Sequence, residues 1–182
     1  NQLLQLSKVY QDKSISNESN LLQDGVRKAR IASLLDPTNT ETRENFLELL
    51  FRSKPVEALQ KWAKNIFIEG GTEEKKTKLL KYSIQTLKND HIALHERRIA
   101  GEIAIVQLNS LLTLNDWLDT PDNSLIAAEL LAETGNPIKA KNIILQSLEN
   151  HPTHPDSIFL LARLTVHLKD TDNLFSVGKK LA

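Results

Sequence analysis

The stretch from Pro121 to Pro152, PDNSLIAAELLAETGNPIKAKNIILQSLENHP, constrains the fold more than any other part of the chain. Leu125, Ala128, Leu131 and Ala132 recur at three- and four-residue spacing, which places them on one helical face. Gly135-Asn136-Pro137 breaks that period. Gly supplies a backbone free to take positive φ, and Pro137 suits the first turn of a new helix. Ala140, Ile143, Ile144, Ser147 and Leu148 form a second stripe, closed by Asn150-His151-Pro152. The turn between the stripes is too short for anything but antiparallel packing. One hairpin cannot bury both stripes, so the segment predicts neighbours of its own kind.

This unit resembles a tetratricopeptide repeat, a helix–turn–helix of about 34 residues. Small residues let the paired helices of that family approach closely. They match here as Ala128 in the first helix, Gly135 at the turn, Ala140 in the second helix and Pro152 at the end, with Leu131 and Ile144 as large packing residues. Ser124 stands where the family often has Trp, and Ser147 where it usually has Ala. The resemblance implies an all-α fold, an α-solenoid of antiparallel helical hairpins with a right-handed superhelix. Across residues 1–182 it predicts a single repeat domain of about ten to eleven helices at that repeat length.

Used as a ruler, the unit finds copies elsewhere. Leu3, Leu6 and Tyr10 suit a first repeat helix over residues 1–11, followed by a polar loop, QDKSISNESN, and a helix over 21–35 ending at Asp36-Pro37. The second repeat, near 40–71, carries Phe46, Leu47, Leu50 and Phe51, turns at Ser53-Lys54-Pro55, and continues through Val56, Ala58, Leu59, Trp62 and Ile66. Residues 72–120 fit worst. They predict a basic amphipathic helix from Glu73 to Lys88, a long helix to about Leu108, and a short helix from Ser110 to Leu118 with Leu111, Leu114 and Trp117 in the core. The run IAGEIAIVQL is apolar nearly all round, so it is expected to be the most buried helix. After Pro152, Ile158, Leu161, Ala162 and Thr165 repeat the opening spacing. Lys169-Asp170 makes the turn, and Leu174, Val177, Gly178 and Leu181 form an incomplete last helix. Its stripe stays apolar to Ala182, which predicts either more chain or contact with another copy.

Composition narrows the function classes. Lys plus Arg equals Asp plus Glu at 23 each, which argues against a strongly electrostatic nucleic-acid binder. With no Cys there is no disulfide, thiolate metal site or cysteine nucleophile. No apolar run approaches the roughly 18 residues of a membrane span. The compartment stays open between cytoplasmic and, with a leader or anchor trimmed from the chain, extracytoplasmic. His91 and His95 could share a metal if both lay on one helix, but HIALHE lacks the H-E-x-x-H order, and a solvated face is expected. His151 and His154 sit among turn formers. No phosphate loop and no nucleophile elbow occur. The run Lys75, Lys76, Lys78, Lys81 and Lys88 reads as a solvated helix face. No catalytic residue, cofactor or metal is therefore expected, and no enzyme.

The resemblance implies a concave groove lined by first helices. Carried onto the matching units, its positions are Glu41, Glu44 and Glu48; Asp122, Leu125, Glu129 and Glu133; and Asp156, Phe159 and Arg163. Lys and Asn, which grip a peptide carboxylate in chaperone-binding members, are absent from these places. The expectation is a non-enzymatic protein–protein interaction module of a larger bacterial-type protein. A peptide or helical segment, basic and partly apolar, would dock in a partly acidic groove. The alternative is a structural or oligomerisation segment of a larger, membrane-anchored assembly, working through its C-terminal end.

Overall fold

The structure is a computed structural model and describes residues 19–170 except 115. Every regular element among them is helical. They are α1 (Ser19–Leu35), α2 (Thr40–Ser53), α3 (Pro55–Glu69), α4 (Glu73–Leu87), α5 (Leu94–Leu111), a 3-10 turn (Trp117–Asp119), α6 (Pro121–Glu133), α7 (Pro137–Asn150) and α8 (Pro155–His167). Eight α-helices among the described residues thus stand where ten to eleven were expected. The helix expected over 1–11 and the last helix, beyond 170, lie outside the described residues. Between 89 and 120 one long helix and a 3-10 turn replace the two helices expected there. Four helices open on proline, at Pro55, Pro121, Pro137 and Pro155. There the fixed φ is already helical and the missing N–H costs nothing.

The described residues divide into two compact units at Glu69/Gly70. In the first, α2 packs against both α1 and α3. Two neighbours explain why α2 buries Thr42, Asn45 and Leu49 as well as Leu47 and Leu50. The Asn39 side chain caps α2 by accepting the Thr42 N–H at 3.2 Å. On α3, Ala58 and Trp62 are both buried, at the small and large packing places matched to the repeat.

In the second unit α4 pairs with α5, α6 pairs with α7, and α8 packs on α6 and α7. The first helices of successive hairpins also touch, α4 with α6 and α6 with α8. Helix α6 therefore serves two cores. Ile126, Ala127 and Leu130 join Leu80, Ile84, Ala104, Leu108, Leu111 and Trp117 on one side. Ala128 joins Ala140, Ile144, Leu148, Ile158, Leu160, Leu161 and Leu164 on the other.

The section over 72–120 is a long-armed version of the same hairpin. Asn89 to Ala93 forms a turn rather than helix, so α5 starts at Leu94 and runs past Ser110 to Leu111. Ala100, Gly101, Ala104, Gln107, Leu108 and Leu111 are its buried residues. The expectation that this helix is the most buried does not hold: Ile105 and Val106 are exposed, Val106 by 62%. Leu114, expected in the core, is exposed, whereas Leu111 and Trp117 are buried. Trp117 plugs the core from the 3-10 turn, its Nε1–H donating to Thr77 Oγ1 at 3.2 Å. Ser124 Oγ–H donates to the Leu118 carbonyl at 2.6 Å, which ties the start of α6 to that turn. A bulky residue at 124 would displace the bond.

Helices α6 and α8, one repeat apart in register, end in the same way. After α6, the Asn136 N–H reaches back to Leu131 O at 2.7 Å and Gly135 N–H to Ala132 O at 3.3 Å, the paired bonds of a Schellman closure. After α8, Asp170 N–H bonds Thr165 O at 2.9 Å and Lys169 N–H bonds Val166 O at 3.1 Å. Gly135 has φ +83° and Lys169, one repeat later, φ +53°. An L side chain in that region costs about 1–2 kcal/mol. Lys169→Gly is accordingly expected to gain up to about 1 kcal/mol, after the extra unfolded-state entropy of Gly is subtracted. Gly135→Ala, with no neighbour within 4 Å of its Cβ, is expected to lose about 1–2 kcal/mol from backbone strain alone. Urea unfolding of the two variants beside the parent chain measures both signs.

Candidate functional site

Because the first helices of the second unit lie side by side, their solvent-facing ridges form a trough. Lys81 and Gln85 of α4, with Lys88 and Asn89 just beyond its end, face Asp122, Leu125, Ile126 and Glu129 of α6 across a cavity of about 650 Å³. A second cavity of about 590 Å³ lies between α6 and α8, lined by Glu129, Ala132, Glu133, Arg163, Val166 and His167 among others. Lys88 and Glu129 border both cavities. Their Nζ and Oε1 atoms stand 3.0 Å apart, with each side chain about a third exposed, at 33% and 32%. The ion pair thus bridges the middle of the trough.

The sequence-derived groove residues separate into three groups. Asp122, Leu125, Glu129, Glu133 and Arg163 all line the trough. Asp156 and Phe159 are exposed on α8, on the ridge that continues through Arg163. Glu41, Glu44 and Glu48 belong to α2 in the other compact unit, and each already has an interaction of its own. The acids of α6 are also partly answered. Glu129 pairs with Lys88, and Asp122 Oδ1 lies 3.4 Å from His154 Nε2.

The α4 side of the trough was missed in the sequence. Lys81 and Lys88 are seven residues apart, the spacing of one helical ridge, and that signal was present. Their register against α6 was not, because the hairpin between them is longer than the repeat.

Two of the histidines hold turns. His154 is the N-cap of α8: Nδ1 accepts the Ser157 N–H at 3.3 Å and lies 2.8 Å from Ser157 Oγ. With Nδ1 accepting, the ring proton sits on Nε2, toward Asp122. His151 Nε2–H donates to the Asp119 carbonyl at 2.9 Å, joining the turn before α8 to the turn before α6. His91 lies in the turn before α5 and His95 within it, so the shared helical face needed for a metal pair does not form. Among the described residues no group of three or more His, Cys, Asp or Glu could hold a metal ion. No helix among them is long and apolar enough to cross a membrane.

No protein-family profile and no curated protein matches the sequence. Among solved structures the chain is similar to "MamA MSR-1 C2", with a TM-score of 0.64, 14% identity, and coverage of 96% of this chain and 93% of that one. MamA contains tetratricopeptide repeats, and the likeness makes this fold a tetratricopeptide-like helical repeat.

Two substitutions test the local roles. His154→Ala is expected to cost about 0.5–2 kcal/mol, the range for losing an N-cap, with His154→Asn restoring most of it. A double-mutant cycle on Lys88 and Glu129, using Lys88→Gln and Glu129→Gln, is expected to show a coupling of about 0.2–1 kcal/mol. Chemical denaturation of the four proteins reads it.

Proposed function

We propose that the protein is a non-enzymatic interaction module and that a peptide or helical segment of a partner protein docks in the trough of α4, α6 and α8. The observation that carries this reading is the trough itself. Rigid helices hold two adjoining cavities whose linings combine Leu125, Ala132 and Val166 with charged groups at fixed spacing. Apolar floor and polar rim are the anatomy of a protein interface. A helical groove takes an extended or helical segment without forming a reaction centre. A catalytic reading would require convergent polar groups around a reacting atom, and the trough's charges are spread along its length. The likeness to a tetratricopeptide protein supports the reading through the fold alone.

A second reading, assembly with further copies, is favoured by exposed apolar side chains in the first unit. Leu34, Leu35, Phe67 and Ile68 are each at least 66% exposed. Large exposed apolar groups mark contact surfaces when they are contiguous. The C-terminal stripe on which the sequence placed such contacts lies outside the described residues. Sedimentation over a range of concentrations separates the two readings, since a monomer throughout removes assembly through this chain.

The docking reading is tested by affinity capture from extract of the source cells, with the intact chain and three variants as bait. Leu125→Asp and Glu129→Lys are expected to lower capture of a genuine partner by about tenfold or more, as for a hot-spot residue. Ile138→Asp, on an exposed position of α7, serves as the control and is expected to leave capture unchanged. Retention of every captured protein by all three variants removes the trough as the docking site.

A further inference from the structure

We infer that the segment held in this trough offers large apolar side chains to Leu125 and Phe159 and side-chain carboxylates to Lys81 and Arg163. This rests on the trough being the docking site, and it assigns the partner's chemistry. Two of the three acids on α6 have a partner nearby, and the third, Glu133, is exposed. Glu129 is met by Lys88 at 3.0 Å, and Asp122 faces His154 Nε2 at 3.4 Å. Lys81 and Arg163, by contrast, are exposed, line the first and second cavities respectively, and enter no ion pair among the described residues. A docked segment takes water from these cations, and a desolvated cation without an anion is costly. A carboxylate removes that cost, and the planar fork of Arg accepts one through two parallel bonds.

The apolar half of the assignment comes from α8. Phe159 is 61% exposed and Val166 63% exposed, one turn to either side of Arg163 on a single ridge. An exposed aromatic beside an unpaired Arg has the composition of an interface anchor. Leu125 occupies the corresponding place one repeat earlier, on α6, and is half-buried in the first cavity. Phe159 lies on the same ridge of α8 as Arg163 and Val166, at the border of the second cavity rather than in its lining. Glu133 also lacks an ion pair among the described residues and shares the second cavity with Arg163, so the segment's donor groups belong at that end. Asp156 stands in the first turn of α8, where the helix N-terminus already offsets its charge. A uniformly basic segment would meet two cations that repel it, with Glu129 already paired to Lys88.

The test pans random peptides displayed on phage against the full-length chain. The peptides are fused to the coat protein through their C-termini, so only side-chain carboxylates are free. Enriched sequences are expected to pair a large apolar residue with Asp or Glu. A synthetic peptide of the enriched sequence is expected to bind Arg163→Glu and Phe159→Ala about tenfold more weakly than the parent chain. Changing the peptide's acid to Lys is expected to recover part of the affinity for Arg163→Glu. Sequences that need Phe159 and Leu125 but carry Lys or Arg, or that ignore Arg163→Glu and Lys81→Glu, overturn the charge assignment and leave the trough standing. Sequences indifferent to Phe159→Ala and Leu125→Ala, or no enrichment over an uncoated surface, remove both the assignment and the docking reading. Phe159, Lys81 and Arg163 are exposed, so these variants keep the fold, and circular dichroism melts confirm it before binding is measured.

Discussion

The second unit depends on how closely α6 can approach α7. Ala128 on α6 and Ala140 on α7 are wholly buried in one core cluster. A methyl group at each place lets the two helices come together, and the larger Ile144 and Leu148 fill the space alongside. A larger side chain at either alanine would force the helices apart or off their rotamers. The approach also determines where α8 lands, because α8 packs on the surface that α6 and α7 make jointly.

From that packing the trough follows without further design. Once each first helix must touch the next first helix, one ridge of each is left facing solvent beside its neighbour's ridge. The spacing of side chains on the ridges is then helical, and charges meet across the gap at intervals of about two turns. Lys88 and Glu129 are such a meeting. Their pairing changes the character of the lining. One of the three acids on α6 is thereby neutralised, and Lys81, Arg163 and Glu133 are the groups left without an ion pair among the described residues.

Much of this was legible in the residues, for identifiable reasons. The hairpin over 121–152 combined two apolar stripes, a positive-φ glycine and a proline at a helix start, and each of these acts over only a few residues. The turn at Lys169-Asp170 was found by register, although Lys offers no conformational advantage there; the Schellman bonds hold it. The errors lay where a long-range partner decides the outcome. IAGEIAIVQL looked buried because it is apolar nearly all round, yet burial requires a packing partner on every side, and within the second unit Ile105 and Val106 stay exposed. The short helix expected at Ser110–Leu118 gave way to a longer α5 and a 3-10 turn. There Trp117 is drawn into the core through Thr77, forty residues earlier.

The sequence by itself determined the class of fold, the hairpin at 121–152, the helix and turn over 155–170, and the absence of cysteine chemistry. Periodicity, turn residues and composition are local properties, and no distant contact can revoke them. Tertiary structure alone decided which ridges face each other, that α4 contributes a basic wall, and which charges of the trough remain unpaired. Those outcomes depend on the register between helices separated by a hairpin of irregular length. Register is fixed by packing in three dimensions rather than by spacing along the chain.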